Sequence, residues 1–440
     1  MKADLDTITS LAKRRGFVFP SAEIYGGFAS TYDYGPLGVE MRRNIRDLWW
    51  RAMVQERDDV VGVEAAIITN PEVWRATGHV DAFTDPLVDC LECRARVRVD
   101  HIVADACPSC GAVGKFTEER NFNLLMRTHV GPVEDDAAVA YMRPETAQGM
   151  FVNFQNVLNS TRRRLPFGIA QIGKSFRNEI TTGQFIFRTR EFEQMEMEFF
   201  CDPGSSLEWF EYWKAERMRW HRSLGLRPQH LRFRDHDQDE LSHYSSRTVD
   251  IEVHFPWGWG ELEGVAHRGD FDLQAHAERS GNALTYFDQE RNEHIVPHVV
   301  EPAVGVDRLM LALLMDAYDE EEVGGERRVL LRLAPNVAPV TVAALPLSRN
   351  ERLVPTGRRV YDLLRPHFRS QYDDAQSIGR RYRRQDEVGT PLCVTIDFET
   401  LDDDAVTIRD RDTMSQIRVP ISGLIEALND RLDELQPATG

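Results

Sequence analysis

Apolar and polar residues alternate most sharply between Phe167 and Phe200, where the chain reads FGIAQIGKSFRNEITTGQFIFRTREFEQMEMEFF. An apolar run to Ile172, a charged stretch through Arg177 and Glu179, a turn at Thr182-Gly183 and a second run from Phe192 predict two antiparallel strands joined by a charged loop. A period of two sets Phe192, Gln194, Glu196 and Glu198 on one face and Glu193, Met195 and Met197 on the other. Carboxylates at the centre of a sheet are costly without partners, so the hairpin reads as a site rather than as core alone.

Helical spacing takes over elsewhere. Residues 5–16 predict a short amphipathic helix, followed by the Gly- and Tyr-rich loop EIYGGFASTYDYGPLG. Residues 39–55 set Met41, Ile45, Leu48, Trp49 and Ala52 on one helical stripe, and the strand VVGVEAAII follows, closed by Asn70-Pro71. Residues 143–149, RPETAQG, are expected to open a helix with Pro144 in its first turn and Glu145 against its positive end, where capping is the plain role for the acid. The helix SSLEWFEYWKAERMRWHRSLG ends at a glycine. The strand-like run PWGWGELEGVAHRGDFDLQ is expected to set Glu261 and Glu263 on one face. Gly305 leads into an apolar helix whose first turn holds Arg308; a cation there opposes the helix dipole, so its expected use is to hold an anion jointly with the helix end. The acidic stretch DEEEVGGERR, residues 319–328, is expected to be a surface connection. Beyond Asn336, strands and helices alternate through VTVAALPL, a helix near 351–366, SIGRRYRRQDEVGTPLCVTIDF, VTIRDRDT and a closing helix at 421–435, which predicts a separate α/β domain.

Composition narrows the class. The 440 residues suffice for two or three domains, and 42% hydrophobic with 9% aromatic content indicates a folded protein. A net charge of -18 argues against a general polyanion-coating protein, and 48 arginines against five lysines make short arginine clusters weak signals by themselves. The first twenty residues hold no signal-peptide run and no stretch approaches a membrane span, so a cytoplasmic location with no membrane partner is expected. Cys90-Leu-Glu-Cys93 and Cys107-Pro-Ser-Cys110 offer four thiolates on two tight turns, as a structural zinc site requires; free or redox cysteines are the alternative. Cys201 and Cys393 are expected to be small buried side chains. Arginines for phosphates, an aromatic ring for a base and paired acids for magnesium or an ammonium, with no Walker loop, describe a nucleoside triphosphate held in an antiparallel sheet beside a small cationic group.

The segments AKRRGFVFPSAEIYGG, RPETAQGMFVNF, FGIAQIGKSFRNEI, FIFRTREFEQMEMEFF, GWGELEG, EPAVGVDR, SIGRRYRRQDEVGTP and VTIRDRDT run over almost the whole chain. In them the sequence resembles the class II aminoacyl-tRNA synthetases, and more closely the glycyl-tRNA synthetases of the dimeric bacterial type. The resemblance implies an α+β fold: a class II antiparallel catalytic sheet of six or seven strands with helices over 1–335 and a C-terminal α/β anticodon-binding domain over 336–440; the small zinc-ribbon-like insertion expected at 88–115 rests on the cysteine spacing. It implies a ligase of protein biosynthesis that joins glycine to tRNA(Gly) with ATP through a glycyl-adenylate, as a homodimer formed through the motif 1 segment at 39–71. Another class II synthetase, or a noncatalytic nucleic-acid-binding relative of the fold, remains the alternative.

Residue by residue, the resemblance implies Arg177 and Arg308 as the catalytic cations, on the α- and γ-phosphates, and Arg188 on the outer phosphates. Glu179 would read the adenine amino group and Phe192 would stack on the ring. Asn178, Phe187, Leu262 and Gly305 complete the implied ATP-binding set, and Glu261 would help to hold magnesium. Glu145, Glu196 and Glu301, with Phe192, Gly305 and Arg98, match positions around glycine. Ala303 stands where relatives often carry Ser. The cluster Arg380, Arg381, Arg383 and Arg384 is expected to contact RNA, a solvated basic face being the alternative, and Glu193 and Glu198 are left solvated or structural. Chemically a pocket for the smallest amino acid rejects larger ones by crowding, so no editing domain is needed.

Overall fold

The computed structural model describes residues 1–437 except 100–101, 133–137, 180–182, 238–239 and 243–244; Thr182, half of the expected hairpin turn, lies outside the described residues. Seven strands make the central sheet: β1 (Val60–Gly62), β2 (Phe167–Phe176), β3 (Glu191–Cys201), β4 (Leu231–Asp235), β5 (Arg247–Phe255), β6 (Gly258–Gly269) and β7 (His298–Gly305). Their order is β4-β5-β6-β7-β3-β2-β1, and all neighbours are antiparallel except β1, which runs parallel to β2 at the edge. The two halves of the predicted hairpin pair from Phe167 with Phe200 to Phe176 with Glu191.

The alternation of β3 sorts its side chains as expected. Met195, Met197 and Phe199 enter the main core, together with Met41, Ile45 and Trp49 of the second of two N-terminal helices, α1 (Leu5–Arg15) and α2 (Pro36–Trp50). Further helices are a five-residue α3 (Ala147–Phe151), a long α4 (Ser206–Ser223), α5 (Phe271–Ser280) and the apolar α6 (Val306–Ala317); α3 and α5 pack in a separate cluster with Phe167, Ile169 and Phe200. Leu309, Leu311 and Leu314 of α6 and Phe210 and Trp213 of α4 fill the main core, each apolar side chain contributing about 1.5–3 kcal/mol by burial. Glu193 shares this face and is neither solvated nor idle. It takes Arg42 at 2.6 Å and Arg46 at 3.2 Å, and Arg42 also pairs with Asp307. α2 is thereby bolted to β3 and α6 by one buried arginine between two acids, which needs such matched partners to be tolerated.

Three expectations are corrected. Glu261 and Glu263 do not share a face. The ladder between β5 and β6 slips at Ile251/Glu252, so that Ile251 pairs with Glu263 and Glu252 with Glu261, and the extra residue, Leu262, reverses the phase of the strand. Glu263 therefore turns into the core, against Arg217 at 2.6 Å and His221 at 2.5 Å on α4. The acidic stretch at 319–328 is not a bare connection but a hairpin, Tyr318–Val323 against Glu326–Leu331, closed by Gly324 and Gly325, both at positive φ. Alternation then exposes Arg327 and buries Arg328. The helix of RPETAQG begins only at Ala147, so Pro144 and Glu145 precede it. The zinc-ribbon-like segment belongs to a larger three-stranded sheet, Thr84–Asp89 with Arg96–Arg98 and Arg120–Asn123.

Beyond Ala338 the apolar core changes. Val342, Val360, Leu392, Ile408 and Leu428 belong to a second cluster, around a five-stranded mixed sheet of β8 (Val342–Pro346), β9 (Ser370–Tyr372), β10 (Leu392–Ile396), β11 (Ala405–Asp410) and β12 (Gln416–Pro420), with helices α7 (Leu353–Leu364), α8 (Ile378–Val388) and α9 (Leu424–Glu434). Arginines join the two parts. Arg328 meets Asp386 at 2.8 Å with neither exposed, beside Arg409 of the second part at 3.0 Å from the same acid, and Arg15 reaches Glu387 at 2.6 Å. The Arg380 cluster divides: Arg381 is fully buried on the carbonyls of Pro346 and Leu347, Arg384 bonds Asp373 at 2.6 Å, and Arg380 is exposed.

Candidate active site

A cavity of about 360 Å³ opens on the face of the sheet that carries Phe192, Gln194 and Glu196. Arg177 and Glu179 reach it from the loop after β2, where Asn178 N donates to Leu124 O at 2.8 Å and Arg177 N to Arg190 O at 2.9 Å. The Arg177 guanidinium sits 5.3 Å from the Phe192 ring centre and 5.4 Å from that of Phe83, and its Nε donates to Pro144 O at 3.1 Å. Arg143 fixes that same Pro144-Glu145 loop by donating to Lys174 O at 2.7 Å and Ala65 O at 2.8 Å. Gly173 makes this possible, because a Cβ there would collide with the Arg143 guanidinium. Arg308, in the first turn of α6, stacks 4.3 Å over Phe187 and meets Glu261 Oε2 at 3.1 Å. Arg188 stands 3.9 Å from buried Glu179.

Beside these cations lies a second, acidic group. Glu196, Glu198 and Glu301 are buried, with one carboxylate oxygen of each within 4.8 Å of the others. Arg268 of β6 bonds Glu301 at 2.7 Å and Asp272 at 2.7 Å, and Glu145 is held by Gln148 at 2.9 Å with His79 at 3.4 Å. Thr146 donates its amide to Glu196 at 3.1 Å, and its hydroxyl bonds the same acid. Burial, then Glu301 and Glu145, push the Glu196 carboxyl up to about 8. Burial raises Glu301 and raises Glu198 well above the carboxylate range, whereas against the same burial His79 and Arg268 hold Glu145 low. Arg308 lowers Glu261. Asp250, which receives His236 at 2.9 Å, is raised by burial and by Glu261.

Of the residues singled out in the sequence, Arg177, Glu179, Phe187, Arg188, Phe192, Glu261, Leu262, Gly305 and Arg308, with Glu145, Glu196 and Glu301, line this one cavity. Arg98 and Asn178 do not. Arg98 lies on the inserted sheet with its guanidinium 2.9 Å from Asp85, and Asn178 engages Leu124 through its backbone. Gln194, Thr146, Asp250, His236 and Arg268 were missed. Gln194 was legible, since the period of two puts it between Phe192 and Glu196, but the others come from segments whose proximity only the fold creates.

The four cysteine sulfurs converge within 4.8 Å, with Cys90 and Cys110 at 3.7 Å and Cys93 and Cys107 at 3.8 Å. A tetrahedron with metal–sulfur bonds of about 2.3 Å has edges of about 3.8 Å, so this set fits a closed four-thiolate metal site. Both turns are built alike: Arg94 N donates to Cys90 O at 2.9 Å and Gly111 N to Cys107 O at 2.8 Å, and the residue after each pair has positive φ.

The antiparallel sheet, with carboxylates on its strands and arginines from the loop after β2 and the first turn of α6 around one cavity, is a class II aminoacyl-tRNA synthetase core. Residues 132–317 match the tRNA synthetase class II core domain (G, H, P, S and T) and residues 341–431 the anticodon binding domain. The solved prolyl-tRNA synthetase of Cryptosporidium parvum has the same fold, with a TM-score of 0.70 at 17% identity over 99% of this chain and 78% of that one. Along its full length the chain is 55% identical to the glycine–tRNA ligase of Thermobifida fusca, over 97% of this chain and 98% of that protein. It is 54% identical to that of Caldanaerobacter subterraneus subsp. tengcongensis, over 98% and 99%. The chain belongs to the glycine–tRNA ligase family.

Proposed function

We propose that this chain attaches glycine to the 3′ end of its tRNA in two steps at the cavity, residues 1–335 acting as catalytic domain and residues 336–440 binding the anticodon. The observation that carries the reading is the joining of two chemistries on one surface: guanidiniums of Arg177, Arg188 and Arg308 beside an aromatic ring, and a buried carboxylate group within the same walls. ATP lies with adenine on Phe192, its amino group on Glu179, the α-phosphate on Arg177 and the outer phosphates on Arg188 and Arg308. Glu261 and Asp250 offer the hard oxygens that magnesium takes when it arrives with the phosphates, and Arg308 already occupies Glu261 at 3.1 Å. The ion supplies neutralisation of phosphate charge.

Glycine lies with its ammonium among Glu145, Glu196 and Glu301. Its carboxylate oxygen attacks the α-phosphorus and pyrophosphate leaves; the terminal ribose hydroxyl of tRNA then attacks the adenylate carbonyl, the bond from that carbonyl to the phosphate oxygen breaks, and AMP leaves, its phosphate able to take the hydroxyl proton. The protein's part is positioning and charge stabilisation, with Arg177 placed for the charge that builds on the α-phosphate. ATP–pyrophosphate exchange over a panel of amino acids tests the reading. Glycine alone is expected to drive exchange, and Arg177→Ala to lower it by about 10²–10³-fold with the fold intact by circular dichroism. Exchange with another amino acid and not with glycine would refute it.

The four thiolates hold a structural zinc in this reading. The segment from Gly62 to Thr69, which leaves Ile67 36% and Ile68 52% exposed, forms part of a homodimer interface. Sedimentation as a monomer at micromolar concentration would contradict the dimer.

A further inference from the structure

Glu198 is the one acid of the carboxylate group that the two-step reading above does not use. It is 0% exposed, and among the described residues neither of its carboxylate oxygens receives a hydrogen bond. The carboxylates beside it are those of Glu196 and Glu301, each with an oxygen within 4.8 Å of it, and Glu301 is an acceptor. The charged groups facing it are Glu196 on its own strand, Glu301 on β7, Arg268 on β6 and Asp272 on α5, three acids against one base. Arg268 is bonded to both Glu301 and Asp272. A carboxylate ion so enclosed, with no donor, is not sustainable in a low-dielectric site; a carboxylic acid is, provided that its O–H finds an acceptor. Glu301 is that acceptor.

We propose that Glu198 is a positioning residue: a neutral carboxylic acid that donates its proton to Glu301 and so fixes the face that Glu301 turns toward the glycine ammonium. The raised affinity of Glu198 for its proton, caused first by burial and then by Glu301, agrees with this geometry. The arrangement spares the pocket one negative charge without bringing in a second cation, which would compete with the ammonium for the same carboxylates. Glu301 is held from two sides, by Arg268 and by Glu198, and its orientation does not depend on substrate. The inference rests on the assignment of this pocket to glycine.

Two substitutions separate donor from bulk. Glu198→Gln keeps an N–H for Glu301 and has no titratable proton; Glu198→Leu keeps volume and removes the donor. Loss of a hydrogen bond to a charged group is expected to raise the KM for glycine about tenfold or more in Glu198→Leu, with the KM for ATP changed by less than about twofold, whereas Glu198→Gln shifts the glycine KM by under about threefold. Infrared spectroscopy of the wild-type enzyme at about pH 9, where Glu196 has released its proton, is expected to show a protonated-carboxyl band that Glu198→Gln lacks. Equal KM effects in the two variants, an effect on ATP rather than glycine, or the absence of that band would overturn the proposal. Should Glu198→Leu fail to fold, the band and the glycine KM of Glu198→Gln decide. Absence of glycine-dependent exchange in the wild type would instead remove the glycine reading, and the recognition role with it, while the infrared band would still report the proton on Glu198.

Discussion

A proton on Glu196 and the ammonium of glycine compete for the same electrostatic position. The Glu196 carboxyl is raised to about 8 by burial and by Glu301 and Glu145, so between the ordinary carboxylate range and about pH 8 the folded chain holds a proton that the unfolded chain has released. Stability of the empty enzyme therefore falls as pH rises through this window, by at most about 1.4 kcal/mol per pH unit for one such group. Bound ammonium favours the ionised acid, so glycine binding is expected to expel close to one proton at neutral pH and to tighten as pH rises from 6 to 8. Calorimetric titration with glycine in two buffers of different ionisation enthalpy measures the proton directly; a buffer-independent heat would contradict it. At this scale the sequence showed which acids lacked a reason to be in a sheet, but not what they touch. Glu193 finds Arg42 and Glu263 finds Arg217 on helices remote in sequence, and neither pair leaves a local trace.

The hairpin of β2 and β3 was legible because an apolar run is followed, after a charged loop, by a strand that keeps period two, and it delivers Arg177, Glu179, Phe192 and Glu196 together. Where an element breaks its own period the reading failed. The bulge at Leu262 separates Glu261 from Glu263, and it is this reversal that keeps Glu261 on the cavity side next to Arg308. The acid run of residues 319–328 hid a hairpin because its charge outweighed the Gly324-Gly325 turn signal. The inserted sheet was recognised only by its cysteines, yet Phe83, adjoining its first strand, touches Arg177, and Leu124, just after its last, holds Asn178. Loss of the metal is therefore expected to reach the ATP site. Emission spectrometry should find one zinc per chain, and Cys110→Ser should remove it and raise the KM for ATP several-fold more than that for glycine. Wild-type protein free of metal yet fully active in exchange would contradict both the zinc and the coupling.

Two cores, one around α2, α4, α6 and β3 and the other around β8 and β10, meet through arginines that are buried on acids and carbonyls rather than spread on the surface. This accounts for part of the arginine excess, and for why an acidic chain with net charge -18 still turns cations inward to a substrate. A smaller α/β unit was visible in the sequence as a change of pattern; the ion pair that fastens Arg328 to Asp386 was not, since it joins segments 58 residues apart in the chain. The account depends on the cavity taking both halves of a glycyl-adenylate at once. A crystal structure with a non-hydrolysable glycyl-adenylate analogue tests this most directly. The account predicts the adenine on Phe192, the phosphate mimic on Arg177 and the ammonium among Glu145, Glu196 and Glu301; an ammonium placed away from those carboxylates, or an adenine on another surface, would contradict it.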